Sequence, residues 1–262
     1  MNPLLNIAVS AAREVGPMLR RAQERLDEIT AEEKNPHDFV TSMDKASEAK
    51  IIEAIHNAYP HHGILAEESG KQGNTADVTW IIDPIDGTTN FIHGIPHFCV
   101  SIAVKEGDKI THGVVYDPMK EEIFSASRGR GAYLNNYRIR VTQSKGLTNA
   151  LIGTGFPIQQ HHKLDAYLAS FKAIFTQCAG IRRAGAAALD LAYVAAGRLD
   201  GFWECALKPW DMAAGSLLIK EAGGLITDFN GTENFLETGH IVAANPKLFK
   251  VMLPIMKRYI LN

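Results

Sequence analysis

Apolar residues recur at helical spacing through the first sixty positions. Leu4, Ile7, Ala8, Ala11, Ala12, Val15 and Leu19 share one face, which predicts an amphipathic helix reaching about Asp27. Asn2 suits its N-cap and Pro3 its first turn. Residues 29–39 are polar, contain Lys34 and Pro36, and predict a loop or hairpin. Met43, Ala46, Ala49, Ile52, Ile55 and Tyr59 form a second helical stripe, capped by Thr41 or Ser42 and stopped by Pro60. Beyond Pro60 the period shortens to that of strands. Residues 63–66 predict a short strand ending at Glu67-Glu68-Ser69, and residues 71–77 a polar loop.

Val78, Trp80, Ile81 and Ile82 make an apolar run that drives into Asp83-Pro84-Ile85-Asp86-Gly87-Thr88-Thr89-Asn90. The run predicts a buried strand, and Pro84, lacking an N–H, predicts its end at Asp83. Alternation over residues 98–105 and 110–116, with Glu106-Gly107-Asp108 between, predicts a hairpin. Residues 122–127, 132–134 and 138–141 extend that antiparallel sheet, with Arg128 and Arg130 on a solvated edge. Strands then alternate with helices: strand 150–154, helix 161–177, a small-residue helix over 186–196, strand 199–205, a helix to Glu221, strands 225–228 and 241–244, and a helix opened by Asn245-Pro246. This order predicts an α+β fold with two sheets and intervening helix layers. One domain spans residues 1–262, with an α+β part over about 1–145 and an α/β part over about 146–262.

The length of 262 residues suits one large domain or two modest ones, and the net charge of −2 points to neither nucleic acid nor an anionic membrane. No apolar run approaches the roughly 18–20 residues that span a bilayer. No signal peptide is evident at the N-terminus. Cys99, Cys178 and Cys205 are widely spaced and outside any CxxC pattern, so they read as reduced, buried thiols of a cytoplasmic protein. The pairs His61-His62 and His161-His162 lack a third ligand at helical spacing and read as surface residues.

The chemistry lies in the acids. Glu67, Asp83, Asp86 and Asp211 each stand where an apolar element meets a turn. Adjacent residues on an extended chain point apart, so at most one of Glu67 and Glu68 joins a site. If the acids converge, they repel unless cations neutralise them, and Mg²⁺ prefers such oxygen ligands. Gly87 lets a ligand approach the backbone, whose free N–H groups then face an anion. Asp44 also suits the first turn of a helix for the macrodipole alone, and Asp211 also reads as a helix cap and nothing more. An aspartyl-phosphate route is the enzymatic alternative. There the paired acids are separated by one residue, whereas Pro84 and Ile85 both stand between Asp83 and Asp86.

The stretch Trp80-Ile81-Ile82-Asp83-Pro84-Ile85-Asp86-Gly87-Thr88-Thr89-Asn90 resembles the first signature of the inositol monophosphatase family. Trp210-Asp211-Met212-Ala213-Ala214-Gly215 with Glu221-Ala222-Gly223-Gly224 resembles the second. Gly63-Ile64-Leu65-Ala66-Glu67-Glu68-Ser69 and Asp38-Phe39-Val40-Thr41-Ser42-Met43-Asp44 fit in the family's order. Ala188-Leu189-Asp190-Leu191-Ala192-Tyr193-Val194-Ala195-Ala196-Gly197-Arg198 looks most like its bacterial branch, which includes an extragenic-suppressor type that also serves in ribosomal RNA transcription.

The resemblance implies a layered αβαβα sandwich and Mg²⁺-dependent, lithium-sensitive hydrolysis of inositol 1-phosphate, with two or three Mg²⁺ per site and a homodimer. It implies that Glu67, Asp83 and the Ile85 carbonyl ligate one metal, and Asp83, Asp86 and Asp211 another. Thr88 would orient the attacking water, with Asp44 accepting from its hydroxyl and Glu67 among the catalytic residues. The N–H groups of Gly87 and Thr88 would hold the phosphate. Glu204 and the Gly185-Ala186-Ala187 turn would contact substrate hydroxyls, with Ile85, Asp86 and Asp211 also facing the substrate. The chain departs from the family at Ala186, where Ser or Thr is common, so other sugar or nucleotide phosphates stay open as substrates. The bacterial branch also implies an interaction role in a transcription complex, with Arg182, Arg183 and Arg198 as candidate contacts; the two roles can coexist.

Overall fold

In the computed structural model, residues 2–26, 29, 31–35, 38–73, 77–156 and 161–260 are described, those at 33–35, 38, 39 and 161 by backbone alone. The first helix ends at Gln23, with Glu24 as its C-cap, short of the end expected near Asp27; the side chains of Lys34, Asp38, Phe39 and His161 lie outside the described residues.

Helix α1 (Pro3–Gln23) begins as its pattern predicts, with Asn2 Oδ1 accepting from the Leu4 N–H at 2.8 Å. The hairpin β1 (Ala31–Asn35) and β2 (Asp38–Thr41) leads into α2 (Ser42–Ala58). Then follow β3 (Gly63–Ala66), β4 (Gly70–Gln72), β5 (Val78–Asp86), α3 (Thr88–Ile92), β6 (Cys99–Glu106), β7 (Lys109–Asp117), β8 (Glu122–Ser127), β9 (Gly131–Leu134) and β10 (Tyr137–Arg138). The strands from β3 onward form an eight-stranded sheet in the order β10-β9-β8-β7-β6-β5-β3-β4, antiparallel except where β3 meets β5. The second half runs β11 (Leu151–Thr154), α4 (Leu164–Phe175), β12 (Gly180–Arg182), α5 (Ala187–Ala195), β13 (Gly201–Glu204), α6 (Pro209–Glu221), β14 (Leu225–Thr227), α7 (Phe235–Thr238), β15 (Ile241–Ala244) and α8 (Pro246–Ile260). Its five-stranded sheet has the order β12-β11-β13-β15-β14, with β11 parallel to both neighbours.

Period-two alternation on strands buried on both faces sorts the side chains into three cores. Trp80 and Ile82 of β5 pack with Val15, Ile51 and Ile55 of α1 and α2. Ile81 points the other way, into a core shared with Leu191 of α5, Met212 and Leu218 of α6, and Phe202 of β13. Trp203, the next residue along β13, faces Tyr167 of α4 and Met252 of α8. The layers are therefore α1 and α2, the larger sheet, α5 and α6, the smaller sheet, then α4 and α8. This is the αβαβα sandwich. Full burial of each such side chain contributes about 1.5–3 kcal/mol. Among the described residues no helix is long and apolar enough to cross a membrane.

Cys99 and Cys205 are buried as expected, and Cys178 is half-buried; all are free thiols. His62 is no plain surface residue. It stacks on Tyr59 and accepts the Trp80 indole N–H at 3.0 Å.

Candidate active site

Strand β5 does not stop at Asp83 as the proline predicts; it continues to Asp86. Asp83 pairs with Ser101 and Asp86 with Cys99, so three steps on β5 face two on β6. This bulge leaves Pro84 where the ladder needs no N–H. On a regular strand, residues three apart point to opposite faces. The extra residue turns Asp86 to the side of Asp83, toward the α5–α6 layer.

Strand parity also selects between Glu67 and Glu68. Leu65 packs into the α5–α6 core while Ile64 and Ala66 face α1 and α2, so Glu67 continues on the side of Asp83. The Glu67 N–H donates to the Ile82 carbonyl at 3.2 Å, and the Glu67 side chain hydrogen-bonds Asp83. Asp211, in the first turn of α6, completes the group: one oxygen each of Asp83, Asp86 and Asp211 lies within 4.8 Å of the others. The start of α6 is tied to β6, where the Ser101 hydroxyl donates to the Trp210 carbonyl at 3.0 Å.

Two acids also serve as caps. Asp86 takes the Ala187 N–H at 3.2 Å and the Ala188 N–H at 2.7 Å, so it caps α5 as well as facing Asp211. The Ala187 amide is thus engaged by Asp86, leaving Gly185 and Ala186 ahead of it on the cavity wall. Asp211 Oδ2 accepts from the Lys208 N–H at 2.7 Å. A separate cluster stands beside them. Thr88 Oγ1 lies 3.1 Å from Asp44 Oδ1 and 3.0 Å from the Ile85 carbonyl. Asp44, fully buried, is fixed through its other oxygen by the Thr41 N–H at 2.8 Å and the Thr41 hydroxyl at 2.6 Å. One oxygen of Asp44 thus caps α2 and the other faces Thr88.

Crowded, buried carboxylates resist ionisation. Burial first, then Glu67, Asp86 and Asp211, hold the Asp83 carboxyl well above the usual carboxylate range. Burial and then Asp211 push Asp86 up to about 7, against the Ala188 N–H. Burial raises Glu204 likewise, helped by Asp190 and Asp211. This set of hard oxygen donors fits divalent cations such as Mg²⁺, whose charge would offset the repulsion.

Asp86, Gly185, Ala186, Ala187, Glu204 and Asp211 line one cavity of about 130 Å³, beside Arg183. A groove of about 1110 Å³ lies over β7–β9, lined in part by Arg128 and Arg130, which are exposed as expected. That groove holds none of the converging acids, so the smaller cavity is the candidate site.

Several residues here are not legible in the sequence. Asn90 Nδ2 donates to the His97 carbonyl at 2.7 Å and the Ala184 carbonyl at 2.8 Å, tying α3 to the turn before α5. Asp190 is buried on α5, its carboxyl raised by burial and by Asp86. Glu48 of α2, 3% exposed, accepts the N–H groups of Glu68 at 2.8 Å and Ser69 at 2.9 Å. An acid on a helix face carries no sequence signal for this. Glu48→Ala strands two amides, so it is expected to cost about 1–3 kcal/mol in a denaturant titration and to raise the Mg²⁺ concentration needed for half-maximal thermal stabilisation. Arg198 is exposed but partnered. It forms a two-pronged ion pair with Glu122 and lies over Tyr193 and Phe124.

The profile described as the inositol monophosphatase family matches residues 1–260. A Pseudomonas aeruginosa protein called Nus factor SuhB is 55% identical over 265 residues, spanning 99% of this chain and 98% of that one. The crystal structure of extragenic suppressor protein suhB from Bartonella henselae matches with a TM-score of 0.95 at 41% identity, over 98% of this chain and 99% of that one. The structure of inositol monophosphatase from Anabaena matches with a TM-score of 0.87 at 39% identity, over 98% and 96%.

Proposed function

The chain belongs to the inositol monophosphatase family, and on that premise we propose that it is an Mg²⁺-dependent phosphomonoesterase that hydrolyses inositol 1-phosphate in the cytoplasm. The observation that carries this is the convergence of Asp83, Asp86 and Asp211 within 4.8 Å, with Glu67 hydrogen-bonded to Asp83. Glu67, Asp83 and the Ile85 carbonyl would hold one cation, and Asp83, Asp86 and Asp211 another. Bound, the cations supply positive charge against the phosphate and acidify water.

The chain's own residues do the positioning. Asp44 accepts from the Thr88 hydroxyl, which leaves a threonine lone pair to accept a hydrogen bond from the attacking water and orient it. The N–H groups of Gly87 and Thr88, in the turn after β5, would hold the phosphate. Glu204 accepts a hydrogen bond from the leaving polyol. Rate then comes from alignment and charge stabilisation rather than from a covalent enzyme intermediate.

The test is phosphate release from inositol 1-phosphate with Mg²⁺, without it, and with added lithium. Release that needs Mg²⁺ and falls with lithium supports the proposal. No release from folded protein, here or with a panel of sugar and nucleotide phosphates, overturns it.

A second reading rests on the relatives called Nus factors: a binding role in a transcription complex, carried by a homodimer. Arg182, exposed on β12, stays a candidate contact for it. Asp83→Asn separates the two, because a binding role survives that substitution and catalysis does not.

A further inference from the structure

Residues 128–140 hold Arg128, Arg130, Arg138 and Arg140 and no acid, in a chain whose net charge is −2. Three of these arginines gather around the groove over β7–β9. We propose that this groove is a second ligand site, which takes a nucleoside diphosphate or triphosphate. It goes beyond the phosphatase reading and does not depend on it.

Strand period decides what faces the groove. Phe124 and Ala132 pack into the core shared with α5 and α6, so Ser125, Ser127 and Tyr133 face the other way, beside Asn2 and Leu5 at the start of α1. Register then sets two rows across the strands. His112, Ser127 and Gly131 make one, and Ser125, Tyr133 and Arg138 the other. Arg138 folds from its own row over bare Gly131: its Nε lies 3.0 Å, and its Nη2 3.2 Å, from where a β-carbon there would stand. Arg128 Nε donates to the Ile110 carbonyl at 2.9 Å, which fixes the side chain and leaves its Nη groups for a ligand. Among the described residues the guanidinium groups of Arg130 and Arg138 have no hydrogen bond or ion pair. The Glu221 carboxylate accepts the Gly129 and Gly131 N–H groups, both at 2.7 Å, so the hairpin between β8 and β9 is held in place.

These groups match the parts of a nucleotide. Guanidinium forks pair with phosphate oxygens, and three of them together suit more than one phosphate. The Ser127 hydroxyl, 2.8 Å from His112 Nδ1, and the Ser125 hydroxyl can each donate to or accept from a ribose. Tyr133, its hydroxyl tied to the Arg130 carbonyl at 3.3 Å, offers an aromatic surface to the base. A volume of about 1110 Å³ is far more than a lone phosphate fills. The acid on the lining, Glu106, stands on β6, four strands across the sheet from Arg138 on β10. A polymer running on past the arginines would bring further phosphates against that charge, so a single nucleotide fits better.

The experiment titrates ADP, pyrophosphate and adenosine into the full chain by calorimetry. Chelator is present throughout, so that the acid cluster holds no cation and repels phosphate. Wild type should bind ADP most tightly, then pyrophosphate, then adenosine. Arg130→Ala and Arg138→Ala, both at exposed positions, should keep the fold and each weaken ADP about tenfold or more. Neither should change phosphate release from inositol 1-phosphate with Mg²⁺. Tyr133→Ala should weaken ADP about tenfold and leave pyrophosphate within about twofold, and Tyr133→Phe should restore ADP binding. Wild type that does not bind ADP, or ADP binding that survives both arginine substitutions, overturns the proposal. Equal losses of ADP and pyrophosphate in Tyr133→Ala overturn the nucleoside part of it. A single-stranded oligonucleotide that binds more tightly than ADP, and is lost in the same variants, gives the groove to a polymer and overturns it too.

Discussion

Asp83→Asn is expected to lower phosphate release at least about 100-fold while leaving the fold intact. Asp83 is 2% exposed and sits among Glu67, Asp86 and Asp211, so its negative charge is unfavourable unless a cation offsets it. Asparagine keeps the shape, and its side-chain oxygen can still accept the Ile85 N–H that Asp83 Oδ1 takes at 3.0 Å. Metal-free variant should therefore be at least as stable as metal-free wild type, and should gain less stability from Mg²⁺. The pH dependence follows the same physics. Asp86 is pushed up to about 7 in the folded chain, whereas an unfolded aspartate titrates near about 4. Between those values the folded state binds more protons than the unfolded one, so the stability of metal-free protein falls as pH rises through that window. Below the window both states are protonated and this contribution is constant. Added Mg²⁺ should flatten the slope by replacing the protons. Unfolding temperatures from pH 4 to pH 8, with chelator and with Mg²⁺, measure this. Wild-type turnover in Asp83→Asn would remove the metal cluster from the mechanism.

Gly87→Ala is expected to have the next largest effect, and through geometry rather than charge. Gly87 has φ of 96°, a left-handed conformation that costs an L-residue about 1–3 kcal/mol at such sites. A β-carbon there would also stand 3.1 Å from the His97 carbonyl, 3.2 Å from Ala186 Cβ and 3.2 Å from the Gly185 carbonyl. Those atoms belong to the loop before β6 and the turn before α5, so relief requires moving one segment that builds the site. Displacement on the scale of an ångström costs about 100-fold in rate. Unfolding should shift by the strain alone, with kcat falling much further than stability predicts. A variant whose activity falls only in proportion to its folded fraction would show that the turn tolerates the methyl group.

How much of this was legible beforehand depends on the range of the contact. The stripe of α1, the cap at Asn2 and the hairpin over β6 and β7 are local patterns that stand as expected; the alternating second half does too, with β12 and α7 as elements not foreseen. Pro84 misled because its missing N–H usually ends pairing; the bulge that tolerates it depends on the register with β6. Glu48 is 20 residues from Glu68, and Asn90 is 94 from Ala184. Neither pair has a spacing that a helix or strand period connects. The partner of Arg198, Glu122, is 76 positions away on another element, so no local pattern names it.

The sequence by itself determined most of the elements, the acids that stand at their ends, and the family to which the chain belongs. Those properties follow from hydrophobic period, capping chemistry and motif, all read within about a dozen residues. Only the tertiary structure decided that Glu67 rather than Glu68 faces Asp83, that Asp86 turns to the same side, and that Arg183 and Glu204 share a cavity without pairing. Side-chain direction past a bulge or a strand end is set by register and by the layers packed against it, and local propensity carries no record of either.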